Sequence, residues 1–178
     1  MEQEQVVPAR AKNKEEQFVQ FIFEHCKQDK GFAARLRRAD NPATEYQSWE
    51  TLGPWIELDN PWQRLPYATV AAAIARSKSD NNGSLSLGKA LAESYAEKGS
   101  TQYSDQAKAR LRRLLACTDV QEVCRVIRPV LTLIESKLGQ PLDYAKLLIE
   151  LRYFGERSKT RWAQDFYGQR GQDKESRE

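Results

Sequence analysis

The sequence predicts an all-α fold. Apolar residues recur mostly three and four positions apart, strand-like alternation with β-branched runs is almost absent, and Asn-Pro pairs sit where apolar stripes begin. The chain has 178 residues, 40% of them hydrophobic, which is enough for a real core. At ordinary helix lengths this makes a compact helical bundle of about eight or nine helices.

The elements follow in order. After a polar leader over 1–12, expected to be disordered, "EEQFVQFIFEHCKQ" sets Phe18, Phe21, Ile22 and Cys26 on one stripe of a first helix. A second helix follows Gly31. Asn41-Pro42 and Asn60-Pro61 each offer a capping side chain and then a proline at the first helical position, where its missing N–H costs nothing, so both mark helix starts. "PWQRLPYATVAAAIARSK" is an alanine-rich helix that Pro66 should kink or delay, and "SDNNGS" ends it. Leu87 to Ala96 form a short helix, a polar connector covers 97–106, and the next helix is capped near Ser104. Asp119 with Glu122 caps a long helix striped by Val123, Val126, Ile127, Val130, Leu131, Ile134 and Leu138, bent at Pro129 and closed by Gly139. "PLDYAKLLIELRYF" and "RWAQDFY" supply the last two, with Trp162 and Phe166 one turn apart, and 169–178 reads as a disordered tail. Residues 13–168 are expected to form a single helical domain, built as one bundle or as two packed sub-bundles joined near 79–86.

Charge is segregated behind a formal net charge of only +3. Ala39 to Asn60 holds no basic residue but carries Asp40, Glu45, Glu50, Glu57 and Asp59 among Tyr46, Trp49 and Trp55. Cations gather elsewhere: in "KGFAARLRR", in 107–128 (Lys108, Arg110, Arg112, Arg113, Arg125, Arg128) and in 152–161 (Arg152, Arg157, Lys159, Arg161). At about 100° per residue, Phe32 and Leu36 face inward while Arg37 and Arg38 point out, and Arg113 lies opposite Leu111, Leu114 and Leu115. Outward guanidinium forks on several helices suit phosphate oxygens and can follow a nucleic-acid backbone without reading bases. Each cluster taken alone is equally a solvated face with local ion pairs; three anion-poor clusters favour the polyanion surface.

Other chemistries find little material. "GSLSLGKA" at 83–90 has phosphate-loop spacing, but Ala90 replaces the magnesium-binding hydroxyl, no strand precedes it, and its leucines read as core anchors around a closely packed Gly88. One histidine, His25, and three scattered cysteines (Cys26, Cys117, Cys124) without a CxxC give no nucleophile system, no metal site and no disulfide framework, so three free thiols are expected. No catalysis, cofactor or metal is expected. No apolar run is long enough for a membrane span, which leaves a cytoplasmic protein. Trp49, Trp55 and Trp62 read as core and inter-helix packing.

The ordered set "GFAARLRRADNP", "SLGKALA", "ARLRRLLA", "PLDYAKLLIELRYFGE" and "RWAQDFY", from about Glu15 to Tyr167, resembles the CasB family, the small subunit of the type I-E CRISPR surveillance complex Cascade. The resemblance implies an all-helical, non-enzymatic subunit present as a pair of copies, with other Cascade subunits, CRISPR RNA and the target and non-target DNA strands as partners. It implies backbone contacts that support the guide–target duplex and the displaced strand, since base pairing chooses the sequence. Arg37, Arg38, Lys89, Arg157 and Lys159 match basic positions of the family motifs. Arg110, Arg112 and Arg113 join them on the reading of the residues alone, with Arg64 and Arg76 as weaker candidates. The competing classes are a stand-alone helical regulator that binds duplex sites and a protein–protein adaptor working through the acidic aromatic segment.

Overall fold

The computed structural model describes residues 10–96 and 103–168. Residues 1–9 of the expected leader, 97–102 of the connector and the expected tail at 169–178 lie outside the described residues. Among the described residues there are nine α-helices and one 3-10 segment, and the one pairing of extended chain is a parallel bridge between Leu85 and Leu142.

Helix α1, Lys14–Gln28, starts on a full capping box: Asn13 Oδ1 accepts from the Glu16 N–H at 2.8 Å, and Glu16 accepts from the Asn13 N–H at 2.9 Å. It buries Phe18, Val19, Ile22 and Phe23, leaving Phe21 and Cys26 half-buried at the edge of the stripe. Helix α2, Lys30–Leu36, opens under Asp29, whose carboxylate accepts from the N–H groups of Gly31 and Phe32; these bonds hold that carboxyl below the usual range.

The Asn41-Pro42 expectation fails. Asn41 caps a tight turn instead, its side chain accepting from the Ala43 N–H, and the chain enters a 3-10 segment at Glu45–Ser48 that continues into the short α3, Trp49–Leu52. The difference from Asn60 is tertiary: Asp40, next to Asn41, is pinned by Arg76 and Arg128, which forces the chain to reverse rather than start a helix.

Asn60-Pro61 does start a helix, α4, Pro61–Arg76, with Asn60 Oδ1 accepting from the Trp62 N–H at 3.1 Å. It runs unbroken through Pro66. That proline deprives only the Trp62 carbonyl of its helical partner, and packing on every side offsets the loss. All residues from Pro66 to Ala75 are buried, five of them alanines, so neighbouring helices can approach α4 closely all round.

The remaining helices are α5 (Leu87–Ser94), α6 (Asp105–Leu115), α7 (Val120–Lys137), α8 (Tyr144–Arg152) and α9 (Glu156–Tyr167). Helices α1, α2 and α8 pack on α4, whereas α5, α6 and α9 pack on one another, and α7 touches both groups. A continuous hydrophobic cluster links the two groups, from Phe18 to Phe166. Helix α7 passes through Pro129 without a break, and Asp119 caps it through the Glu122 N–H at 2.8 Å.

Two glycines make close approaches possible. A Cβ on Gly83 would lie 2.0 Å from the Pro141 carbonyl oxygen, where Gly83 donates to Leu142 and ties the segment after α4 to the α7–α8 linker. A Cβ on Gly88 would lie 2.3 Å from the Trp162 carbonyl oxygen, because α5 lies directly against the backbone of α9. Trp162 and Phe166 are fully buried there, and the indole N–H donates to Glu150 Oε2 at 2.7 Å.

Candidate nucleic-acid interface

The "ARLRRAD" stretch divides its arginines between two tasks. Helix α2 ends at Leu36, and its buried side chains Phe32, Ala33 and Leu36 leave Arg37 and Arg38 on the outside. Arg37 Nε donates to the Ala75 carbonyl at 3.0 Å, near the C-terminus of α4, so part of this guanidinium serves as a helix cap while the side chain stays exposed. It also lies close enough to Cys26 to oppose the effect of burial, which pushes that half-buried thiol up to about 11. Arg38 is exposed and forms no ion pair among the described residues.

The α5–α6–α9 group presents the other candidates. Lys89 is exposed between the buried Gly88 and Ala90, and Leu85 and Leu87 are core residues, so "SLSLGKA" is a helix entry with one outward cation. On α6, Ala107, Leu111 and Leu114 are buried and Arg112 and Arg113 are exposed. Arg110 is half-buried and donates to the Tyr95 hydroxyl, a partner outside its own helix. On α9, Arg157 is exposed, whereas the half-buried Lys159 sits with Nζ 5.4 Å from the Phe154 ring centroid.

Three helices converge near Cys117. Burial pushes this thiol up, Glu122 adds to the rise, and Lys159, Arg113 and Arg125 oppose it from α9, α6 and α7. Arg113, Lys159 and Arg125 thus all act on one buried thiol, and Arg125 is exposed and forms no ion pair among the described residues. Arg125 belongs to the 107–128 cluster by composition but is not among the candidate site residues; that it acts on the same thiol as Arg113 depends on how α6 and α7 pack.

The weaker candidates are committed to the interior. Arg64 pairs with Glu45 at 2.6 Å and donates to the Leu58 carbonyl. Arg76 bridges Asp40 at 2.8 Å and Glu135 at 3.2 Å, and Arg128 reaches Asp40 at 3.4 Å, joining the 39–44 turn, α4 and α7. Burial raises the Glu135 carboxyl to about 7 and Asp40 adds to the rise, while Arg76 opposes it; the second oxygen, Oε1, is buried without a hydrogen-bond partner. All three cysteines are free, and no group of three His, Cys, Asp or Glu side chains among the described residues is arranged to hold a metal ion. No helix of the described residues is long and apolar enough to cross a membrane.

The tryptophan expectation needs correction. Trp55 packs at 5.4 Å from Phe18 and 5.5 Å from Phe21, but Trp49 and Trp62 are 40% and 47% exposed, and Tyr46 is 61% exposed. Helix α3 is a single turn, and Trp62 lies in the first turn of α4 before that helix enters the core, so neither position has a second layer to cover it.

Comparison with known proteins agrees with this architecture. The chain matches none of the curated proteins it was compared with. Among solved structures it is similar to a chain of a CRISPR RNA-guided surveillance complex (TM-score 0.72, 20% identity, covering 93% of this chain and 98% of that one). It is similar to M. ruber CasB (TM-score 0.70, 24% identity, 93% and 99% covered) and to CasB from Thermobifida fusca (TM-score 0.62, 17% identity, 88% and 99% covered). At these identities the structures establish the fold. Residues 33–167 match the family model of CRISPR-associated protein Cse2, which takes in every helix from the middle of α2 to the end of α9. The chain belongs to the CRISPR-associated Cse2 family.

Proposed function

We propose that this chain is a non-catalytic, cytoplasmic subunit of a CRISPR RNA-guided surveillance complex. Its exposed cations hold nucleic-acid backbone there, supporting the guide–target duplex and the displaced DNA strand of the R-loop. Its partners are the other protein subunits, a second copy of itself, CRISPR RNA and the two DNA strands. The observation that carries the reading is the separation of charge: Arg38, Lys89, Arg112, Arg113, Arg125 and Arg157 are exposed and form no ion pairs among the described residues, while the acidic residues of 39–60 occupy a different stretch. Backbone phosphates are the ligand such unpaired cations suit, and no base-reading element is required because the guide supplies sequence.

Modest affinity suffices. Opening a duplex against a guide exchanges DNA pairs for RNA–DNA pairs at nearly balanced free energy, so a few phosphate contacts that oppose reannealing decide whether the open state persists. With about four phosphates neutralised, the slope of log affinity against log salt for single-stranded DNA is about −3. Reversing charge at Arg38 and Arg157, whose side chains form no ion pair among the described residues, flattens that slope in a fluorescence-anisotropy titration while the melting temperature holds. An unchanged slope removes these residues from the site.

The exposed Tyr46, Trp49 and Trp62 favour a second, compatible role. Exposed aromatics in and beside a stretch that carries Glu50, Glu57 and Asp59 and no cation suit a protein neighbour better than a polyanion.

A further inference from the structure

We infer that Tyr153, at the junction of α8 and α9, is a stacking platform for an unpaired base, which makes this junction a single-strand site rather than a backbone contact alone. The inference rests on the nucleic-acid reading above and adds to it the kind of strand and the group that holds its bases.

Tyr153 is 66% exposed, more than any other large hydrophobic side chain among the described residues, although it directly follows a helix whose other aromatic, Tyr144, is buried. Its backbone is fixed, with the N–H donating to the Ile149 carbonyl at 3.1 Å as the cap of α8. The Arg152 guanidinium carbon lies 5.1 Å from the Tyr153 ring centroid and is itself anchored by an ion pair to Glu15 on α1. The ring therefore has a cation fixed beside it and most of its surface in solvent.

The surroundings decide what the ring suits. Arg157 is exposed and unpaired among the described residues, Lys159 lies over the neighbouring Phe154, and the two carboxylates nearest in sequence are Glu150, buried and bonded by the Trp162 indole, and Glu156, in the first turn of α9 where the helix dipole favours it. Aromatic faces among cations are the construction used to bind single strands: bases stack, phosphates meet the charges, and every base offers a π-face, so the contact tolerates any sequence. A duplex presents no free base face, and so the ring selects for opened strands. The other exposed aromatics fit this role less well. Tyr46 and Trp62 have no cation over the ring among the described residues; Trp49 has Arg64 at 5.8 Å but is only 40% exposed and lies among the acids of 39–60, and Tyr167 is engaged by Tyr103 and Phe166.

The test compares binding of the full chain to oligothymidine and to an abasic oligomer of equal length, which carries the same phosphates without bases. The unmodified chain should prefer oligothymidine by roughly 5- to 150-fold. Tyr153→Ala should abolish that preference and leave the salt slope intact, and Tyr153→Trp should keep it. Equal affinity of the unmodified chain for both oligomers, or a preference that survives Tyr153→Ala, overturns the inference while leaving the phosphate-binding reading in place. Absence of salt-dependent binding to either oligomer overturns that reading itself, and the inference with it.

Discussion

Arginine plays opposite parts in the two halves of this molecule. Around α4 the guanidinium groups of Arg64, Arg76 and Arg152 are each matched to a buried carboxylate, Glu45, Asp40 with Glu135, and Glu15 respectively. Around α6 and α9, Arg112, Arg113 and Arg157 face water and form no ion pair among the described residues. Residue type is the same; what differs is whether tertiary packing places a carboxylate opposite. A cation already matched inside holds helices together, and an unmatched one on the surface is left to meet a polyanion.

That contrast can be broken first at Arg76. Arg76→Ala leaves Asp40 and Glu135 buried without their shared partner, and the expected loss is about 3 kcal/mol of unfolding free energy by denaturant titration. Survival of full stability would make the interior network as dispensable as a surface pair. The complementary change is Arg112→Gln with Arg113→Gln and Arg157→Gln. Two of these residues close α6 and complement its dipole, so stability should fall by no more than about 1 kcal/mol, whereas the salt slope for single-stranded DNA should flatten by about 2. A triple variant that unfolds would show these cations to be structural after all.

The smallest effect comes from Glu135. Its folded carboxyl is raised to about 7 by burial, above its unfolded value, so the neutral form's stabilisation is complete below about 4.5 and is lost as pH rises through about 7. Glu135→Gln, which keeps a neutral side chain at every pH, should flatten the decline in stability between those values, a change on the order of 1–2 kcal/mol in thermal or denaturant unfolding. An unchanged pH profile would place the titration elsewhere.

Much of this was legible in the chain itself, and the failures share a cause. Helical period placed Arg37, Arg38 and Arg113 on outer faces because facing is a local property, whereas Lys89 and Arg157 were marked only by their match to family motif positions. Whether a cation is occupied is not local: Arg110 meets Tyr95, Lys159 covers Phe154, and Arg76 finds Glu135 across fifty-nine positions. Asn41-Pro42 and Asn60-Pro61 look alike over two residues, yet only the second is followed by a segment buried on all sides, and the first is pinned by the charge network through Asp40. Trp49 and Trp62 escaped because the usual burial of tryptophan presumes a neighbouring layer, and α3 is too short to acquire one.

The contact at Gly88 has a consequence for how the protein is made. Helix α5 shares its most extensive packing with α9, whose Trp162 lies more than seventy residues further along the chain. During synthesis α5 therefore emerges long before its main partner, and until α9 has left the ribosome it has mainly α6 and α7 to pack against. The α4-centred group shares this delay only in part, since α1, α2 and α4 meet early and wait for α7 and α8. A ribosome that stops before α9 releases a chain whose α5 lacks its largest packing partner, so messages cut short there yield material prone to clumping.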